Sequence, residues 1–485
     1  MNYKMLFRIC GRVLLLEAGF MALPFIISLY YGEMFSAVAF GESLLITLIT
    51  GAFLVFIVSR GAEKGFYARE GLVVTGLCWI IMSAFGAIPF VLNKDIPSYI
   101  DAFFEMASGF TTTGASVILN VEVMTHGTLF WRNFSNWIGG MGVLVFLLAI
   151  SSSKSRDSGF TLHILRAESP GPSVGKIVPK MRQTALILYL IYISLTILNT
   201  IFLIAGGMPV FESVCHAMGT AGTGGFGVKA DSFTGYSPYL QNVTTVFMLL
   251  FGVNFSIYYL ILMKKLKAAF FDEEVKLYFS VVVASALLIA WNIRGLYGTL
   301  EETLRASFFQ VASMITTTGF ATADFDTWPV FSKSLILFLM IVGACAGSTG
   351  GGMKCARVLI LLKSLRRNIK KNIHPRTVEV IDINDREVSE DVISNTNAYL
   401  AAYFTIVVLL VMILSLDGFS IETNLSAALC TFNNIGPGLG KVGPTCNFSE
   451  YSDLSKIVLS FAMITGRLEI FPILSLFSRS TWKKV

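Results

Sequence analysis

Apolar residues gather along this chain into long runs, and most pairs of runs enclose a short polar segment rich in glycine and threonine. A run of roughly 20 apolar residues is what an α-helix needs to cross the ~30 Å hydrocarbon core of a bilayer. The pattern predicts ten such spans, beginning with an extra pair at 10–31 and 42–60. Four further pairs follow: 70–93 with 128–151, 183–206 with 238–263, 275–294 with 332–363, and 395–416 with 453–479. Within each of these pairs a shorter helical stretch (102–109, 211–219, 304–314 and 425–432) leads into the polar segment and stops there. Each unit therefore reads outer helix, half-span, loop, inner helix.

The polar segments repeat. Gly109-Phe110-Thr111-Thr112-Thr113-Gly114-Ala115-Ser116 is nearly the same as Ile315-Thr316-Thr317-Thr318-Gly319-Phe320-Ala321-Thr322. Gly222-Thr223-Gly224-Gly225-Phe226-Gly227 is a looser copy, and Asn433-Asn434-Ile435-Gly436-Pro437-Gly438 the most divergent. Aligned on Gly114, Gly225, Gly319 and Gly436, the copies stand 111, 94 and 117 residues apart, which divides the chain into four fused units. The division is 1–66 for the N-terminal pair, 67–155, 156–268 and 269–364 for units one to three, 365–392 for a basic linker, and 393–485 for unit four.

Non-helical backbone at membrane depth is tolerated only where protein buries it or where it lines a water-filled cavity. One such loop reads as a polar turn after a helix. Four in equivalent places point to a common axis, where backbone carbonyls replace the hydration shell of a cation. Threonine before the glycine adds a hydroxyl oxygen. Glycine reaches backbone angles closed to other residues, and the helix before each loop turns its partial negative end toward the axis.

Composition agrees with this reading. The chain has 485 residues, of which 54% are hydrophobic and 14% charged, with a mean hydropathy of +0.69, so it is a polytopic membrane protein. The net charge of +6 calls for no nucleic acid, because the basic residues collect beside the ends of spans. Lys154, Arg156, Arg166, Lys176, Lys180 and Arg182 lie between units one and two, and Lys264, Lys265 and Lys267 between two and three. Lys363, Arg366, Arg367, Lys370, Lys371 and Arg376 lie between three and four, Arg60, Lys64 and Arg69 before unit one, and Lys483 and Lys484 at the end. This bias places both termini and all these connections in the cytoplasm. The four loops then enter from outside, with Asp101, Glu122, Asp324 and Asp326 near the outer mouth, where they could concentrate cations. The first span runs on without a convincing small-residue cleavage site, so it is expected to be retained. Seven cysteines without CxxC spacing read as packing residues, and four scattered histidines do not cluster as metal ligands would. No nucleophile–base pair suggests an enzyme.

Two features break the pattern of plain spans. The third inner helix contains Gly343-Ala344-Cys345-Ala346-Gly347-Ser348-Thr349-Gly350-Gly351-Gly352-Met353-Lys354. Each Gly costs a helix about 1 kcal/mol relative to Ala, so the helix should open here. The stretch is no phosphate loop: it has one residue too many before the Lys, lacks the following Ser or Thr, and follows a membrane span. Arg467 lies midway along the last span, where an arginine is costly and normally faces a polar interior. Glu469, two positions on, points to a different helix face. Asn254 sits at a comparable depth in the second inner helix.

Four fused outer-helix, loop, inner-helix units with one loop glycine each resemble the Trk/Ktr/HKT superfamily of potassium transporters. The extra N-terminal pair makes the chain most similar to the TrkH type, the membrane subunits of bacterial Trk systems. The resemblance covers essentially the whole chain. It implies an all-α polytopic membrane protein with four helix–pore loop–helix units in pseudo-fourfold arrangement around one pore, plus two extra N-terminal transmembrane helices. It implies a potassium-binding filter at Thr112, Thr113 and Gly114; Thr223, Gly224 and Gly225; Thr317, Thr318 and Gly319; and Asn434, Ile435 and Gly436. Either Gly224 or Gly225 is the filter glycine of the second loop, which is richer in Gly than usual. Gly at 114, where some plant relatives that favour sodium carry Ser, implies potassium with rubidium tolerated. The stretch Ala346, Gly347, Ser348, Thr349, Gly350, Gly351 and Gly352, with Lys354, corresponds to an intramembrane loop that obstructs the pore beneath the filter. Arg467 corresponds to an arginine in the conduction path, acting as an electrostatic barrier or as a latch for the loop's backbone.

Potassium is then the transported ion, with no organic cofactor on this chain. The implied partners are a second copy in a homodimer, each protomer with its own pore, and a cytosolic nucleotide-binding regulatory ring of the TrkA type. The basic segments 363–376 and 154–182 suit docking of that ring or contact with anionic membrane lipid. The implied location is the bacterial cytoplasmic (inner) membrane. A K⁺/Na⁺ or K⁺/H⁺ coupled symporter of the same fold, KtrB-like, is the alternative.

Overall fold

The computed structural model describes residues 1–60, 68–142, 181–376 and 379–482. The second half of the first inner span, most of the basic 154–182 loop, and Lys64, Lys483 and Lys484 lie outside the described residues.

The chain is a multi-pass helical membrane protein. Among the described residues, six helices are long and apolar enough to cross a membrane, and a seventh candidate is a pair bent by 88°. The N-terminal pair, Tyr3–Tyr30 and Met34–Phe53, crosses where Gly11 meets Gly51. A Cβ on either glycine would come within 3.0 Å of the other's carbonyl oxygen or closer. Small residues let membrane helices approach this tightly. The turn of this pair docks on unit one through Glu33, whose carboxylate accepts from His126 N at 3.0 Å and lies 2.8 Å from His126 Nδ1. Tyr3 stacks on Trp482 at 6.4 Å, so the two ends of the chain meet on one face.

The outer helices of the four units are Ala68–Gly86 (extended by Ile88–Leu92), Met181–Ala205, Glu273–Ile293 and Glu390–Leu414. The re-entrant helices are Tyr99–Phe110, Val210–Gly222, Leu300–Ile315 and Ile421–Phe432. Ser98, Thr299 and Ser420 cap the first, third and fourth by accepting backbone N–H groups, while the second starts after Pro209. Each re-entrant helix packs between its own inner helix and that of the preceding unit, and the first packs against the inner helix of unit four. The cycle closes.

The inner helices depart from the sequence-based expectation that only the third is interrupted. The first, His126–Met141, ends at Gly142, whose φ is 80°. The second breaks between Pro238–Phe251 and Phe255–Leu262. The third opens as expected between Val330–Val342 and Cys355–Ile373. The fourth breaks between Asp453–Arg467 and Phe471–Phe477, with Glu469 and Ile470 at positive φ. The second and third breaks share a physical reason, because the backbone groups freed at the second bond to the opened third helix. Cys345 N donates to Gly252 O at 3.1 Å and Phe255 N to Gly347 O at 3.1 Å. The fourth instead closes on itself, through Glu469 N to Gly466 O and Ile470 N to Thr465 O. The 365–392 segment, expected as a linker, continues the helix to Ile373 and then forms a hairpin pairing Asp382–Ile383 with Arg386–Glu387.

Glycine also fixes how inner helices meet re-entrant ones. A Cβ on Gly139 would collide with the carbonyl oxygen of Phe110, and one on Gly466 with that of Phe432. Phe110 and Phe432 end their respective re-entrant helices. Gly466→Ala is expected to lower stability by about 1–3 kcal/mol, the usual result of overpacking a dense core. A fall in the thermal midpoint of the detergent-purified protein checks it.

Candidate functional site: a ring of four loops

Each re-entrant helix ends in the same turn. Thr112, Thr223, Thr317 and Asn434 take left-handed φ values of 54°, 52°, 57° and 58°. The next residue's N–H reaches back five positions: Thr113 to Ser108, Gly224 to Gly219, Thr318 to Ser313 and Ile435 to Cys430, at 2.8–2.9 Å. This is a Schellman closure, usually built with Gly at the left-handed position. Three of the four units use threonine there, a β-branched residue for which this conformation costs of order 1–3 kcal/mol. Two residues later the chain turns left-handed again, at Gly114, Gly225, Gly319 and Gly436, with φ of 79°, 69°, 86° and 99°. The alternation aligns Gly225, rather than Gly224, with the other three glycines.

The loops touch in sequence around an axis. A Cβ on Gly114 would strike the Gly224 carbonyl oxygen, one on Gly225 that of Thr318, and one on Gly319 that of Ile435. A Cβ on Gly436 would come within 2.8 Å of the Thr113 carbonyl oxygen. Eight of the twelve predicted loop residues thus meet in one ring, each of the four aligned glycines against the next unit's carbonyl. Side chains lock it. Thr111 and Thr113 hydroxyls bond at 2.8 Å, and Thr316 and Thr318 repeat the pair at 2.7 Å. Asn434 Nδ2 crosses units, donating to Thr113 Oγ1 at 3.0 Å and to Met463 O at 2.9 Å. Thr223 Oγ1 donates to Gly222 O at 2.6 Å.

The opened stretch of the third inner helix lies against this ring. Gly351 N donates to Thr317 Oγ1 at 2.6 Å, and Gly352 N to Asn433 O at 3.1 Å. Thr349 Oγ1 bonds Phe251 O at 3.3 Å, and Ser348 Oγ folds onto Cys345 O at 2.6 Å. Lys354 is buried and its ammonium turns back onto Gly350 O. Asn254 caps the second inner helix's lower half through Ser256 N at 2.9 Å, with Gly347 packed beside its amide.

Arg467 binds three backbone carbonyls from two segments. Its guanidinium donates to Thr349 O at 2.7 Å and to Gly139 O and Gly140 O at 2.6 Å each. These bonds tie the last inner helix to the opened stretch and to the end of the first inner helix. Glu469 does pair with a different helix: it bonds Arg357, which also donates to Met353 O at 3.2 Å and lies 4.0 Å over the Tyr399 ring.

Sequence reasoning missed Glu274. It sits in the first turn of the third outer helix, where an acidic residue reads as a helix-end charge. Its Oε1 accepts Ala346 N at 2.5 Å and Ala356 N at 3.0 Å, pinning both ends of the opened stretch. Nothing local in the sequence pairs position 274 with 346. The buried ion pair behind the first loop, with Arg132 Nε 2.6 Å from Glu105 Oε1, was missed for the same reason.

A cavity of about 180 Å³ opens above the ring, and Gly114, Gly225, Gly319 and Gly436 form its floor. Arg132, Lys229 and Cys446 are among its walls. The four acidic residues expected at this mouth are not in its lining. Asp326 faces Lys333 at 3.6 Å, Asp101 faces Lys456 at 2.7 Å, Glu122 accepts from Ala230 N at 3.4 Å, and Asp324 caps a turn.

Fold and site together define a four-unit membrane protein with a central ring of re-entrant loops beneath one mouth. The model of a family described as TrkH, cation transport protein, matches residues 37–484. The chain is 34% identical over 493 residues to the Trk system potassium uptake protein TrkH of Salmonella typhimurium, covering 100% of both. It is 30% identical to the Trk system potassium uptake protein TrkG of Escherichia coli K12, covering 99% of each. The crystal structure of the potassium transporter TrkH from Vibrio parahaemolyticus superposes with a TM-score of 0.89 at 31% identity, over 100% of both chains. The chain belongs to the TrkH family of cation transport proteins.

Glu274→Ala leaves two buried N–H groups unpaired, each worth about 1–3 kcal/mol. Amide hydrogen exchange across 344–356 should then accelerate by about tenfold or more. Glu274→Gln, whose amide oxygen accepts both bonds, should stay near wild type. Exchange mass spectrometry on the purified protein reads the difference.

Proposed function

We propose that this chain takes up potassium across the bacterial cytoplasmic membrane, through a filter formed by the carbonyls of the four loops. The observation that carries the reading is the closed cycle in which each loop glycine packs against the next unit's carbonyl. A ring built from backbone dipoles coordinates a dehydrated cation with no ionised ligand. The potassium-uptake names of the full-length relatives support the choice of ion. Thr112, Thr113, Gly114, Thr223, Gly224, Gly225, Thr317, Thr318, Gly319, Asn434, Ile435 and Gly436 form the filter. The stretch from Ala346 to Gly352, with Lys354, is the gate beneath it, and Arg467 holds that gate closed.

The relatives are named as parts of a system, which supports control by a cytosolic TrkA-type subunit that holds the nucleotide. The exposed Arg366 and Lys371, on the helix that leads away from the gate, are docking candidates. A homodimer and cytoplasmic termini complete the assembly.

The direct test is growth of a potassium-uptake-deficient bacterium on low potassium, with the chain and its regulator both expressed. Rescue is expected, and its absence in well-expressed protein removes the transport reading. A reversal potential that follows the potassium gradient alone separates a pore from a coupled symporter.

Two variants probe the parts. Gly114→Ser places a Cβ against the Gly224 carbonyl and should lower the K⁺/Na⁺ permeability ratio, read under bi-ionic conditions. Arg467→Ala frees three carbonyls from a fixed cation and should raise potassium flux into proteoliposomes. Flux unchanged in inserted protein would place the barrier elsewhere.

A further inference from the structure

The position nine residues before each loop glycine faces the back of its own loop: Glu105, His216, Gln310 and Ala427. In unit one, Glu105 Oε2 accepts Val117 N at 3.0 Å, and Oε1 accepts Ser116 Oγ at 3.1 Å. In unit three the amide of Gln310, turned with its oxygen toward the loop, accepts Thr322 N at 2.9 Å. In unit four Ala427 has no polar atom, and Ser426 beside it takes the role, accepting Leu439 N at 2.9 Å. Val117, Thr322 and Leu439 are each the third residue after the loop glycine. Three different side chains therefore hold the same backbone N–H.

Unit two is held differently. His216 packs its ring beside Gly227 and spends Nε2 on the Tyr236 hydroxyl at 3.1 Å. The anchor of this glycine-rich loop comes from unit one: Arg132 Nη1 donates to Gly227 O at 3.1 Å, and its guanidinium lies 3.5 Å over the Phe226 ring. Arg132 Nε donates to Glu105 Oε1 at 2.6 Å, and both side chains are buried. One ion pair thus clamps loops one and two together.

We propose that the Glu105–Arg132 pair, with Gln310 and Ser426 in the other units, is a rear brace that sets the filter's discrimination between potassium and sodium. These are positioning residues. They bond the outgoing backbone just after the loop glycines, and so resist an inward collapse of the carbonyls around a smaller ion. The proposal rests on the filter reading above.

The test measures K⁺/Na⁺ permeability ratios of the purified full-length chain in planar bilayers. Ser426→Ala removes one acceptor at almost constant volume and should lower the ratio by about tenfold, the scale of one lost buried hydrogen bond. Ser426→Thr keeps the hydroxyl and should restore it. The double variant Glu105→Gln with Arg132→Met keeps the acceptor for Val117 but frees Gly227 O, and avoids leaving a lone buried charge. It should also lower the ratio while potassium conductance persists. Wild-type preference with unchanged ratios in the inserted variants overturns the brace alone. A wild-type chain with no potassium preference overturns the filter reading and the brace with it.

Discussion

Inside a bilayer a backbone that leaves the helix must find a partner for every N–H and C=O it frees, because no water is there to take them. This chain leaves the helix repeatedly: four times in the re-entrant loops and again where the inner helices break. The freed groups satisfy one another. Gly351 and Gly352 of the opened third helix bond to the third and fourth loops, and Gly347 and Cys345 bond to the kink of the second inner helix. Where no backbone partner is at hand, Arg467 serves three carbonyls and Glu274 two amides. The irregular segments are stable only as a set.

That dependence explains what the sequence could and could not say. The loops were legible because their chemistry is local: a left-handed turn and a glycine two residues on are written within a few positions of each other, four times. The opening of the third inner helix was legible for the same reason, through its run of glycines. The kinks of the second and fourth carry weaker marks. Inner helix four has only Gly466 and Pro472 near its break, and a single Gly or Pro in an apolar run does not by itself announce an opening. Glu274, Glu105 and Arg132 were hidden because their partners are distant in sequence. The second loop was resolved only by its φ values, positive at Thr223 and again at Gly225, since Thr223-Gly224-Gly225 permits two registers by composition.

The fourfold symmetry is a property of the backbone, and the side chains break it. Thr113 and Thr318 carry matching hydroxyl pairs, but unit four places Asn434 where the others have Thr, and uses its amide to reach across into unit one. Unit two has two adjacent glycines, and Gly224 fits there because any Cβ would enter the Asn136 side chain. A loop with so little side chain cannot brace itself, which is why a residue of the neighbouring unit does so.

Asymmetry is greatest below the ring, where it bears on how the opened stretch can move. Arg467 joins inner helix four to Thr349 of unit three and to the end of inner helix one. Thr349, through Arg467 and Phe251 O, and Gly351, through Thr317, hold the centre of the stretch, and Glu274 holds its ends. A small displacement would break one buried bond without forming another, at about 1–3 kcal/mol for each group left unpaired. A large displacement that carried the whole stretch to new partners, or to water, would avoid that penalty. The contacts therefore favour two discrete arrangements over a graded one, as packed and hydrogen-bonded interfaces generally do. Arg467 is the side chain through which inner helix four, the opened stretch and the end of inner helix one are hydrogen-bonded together.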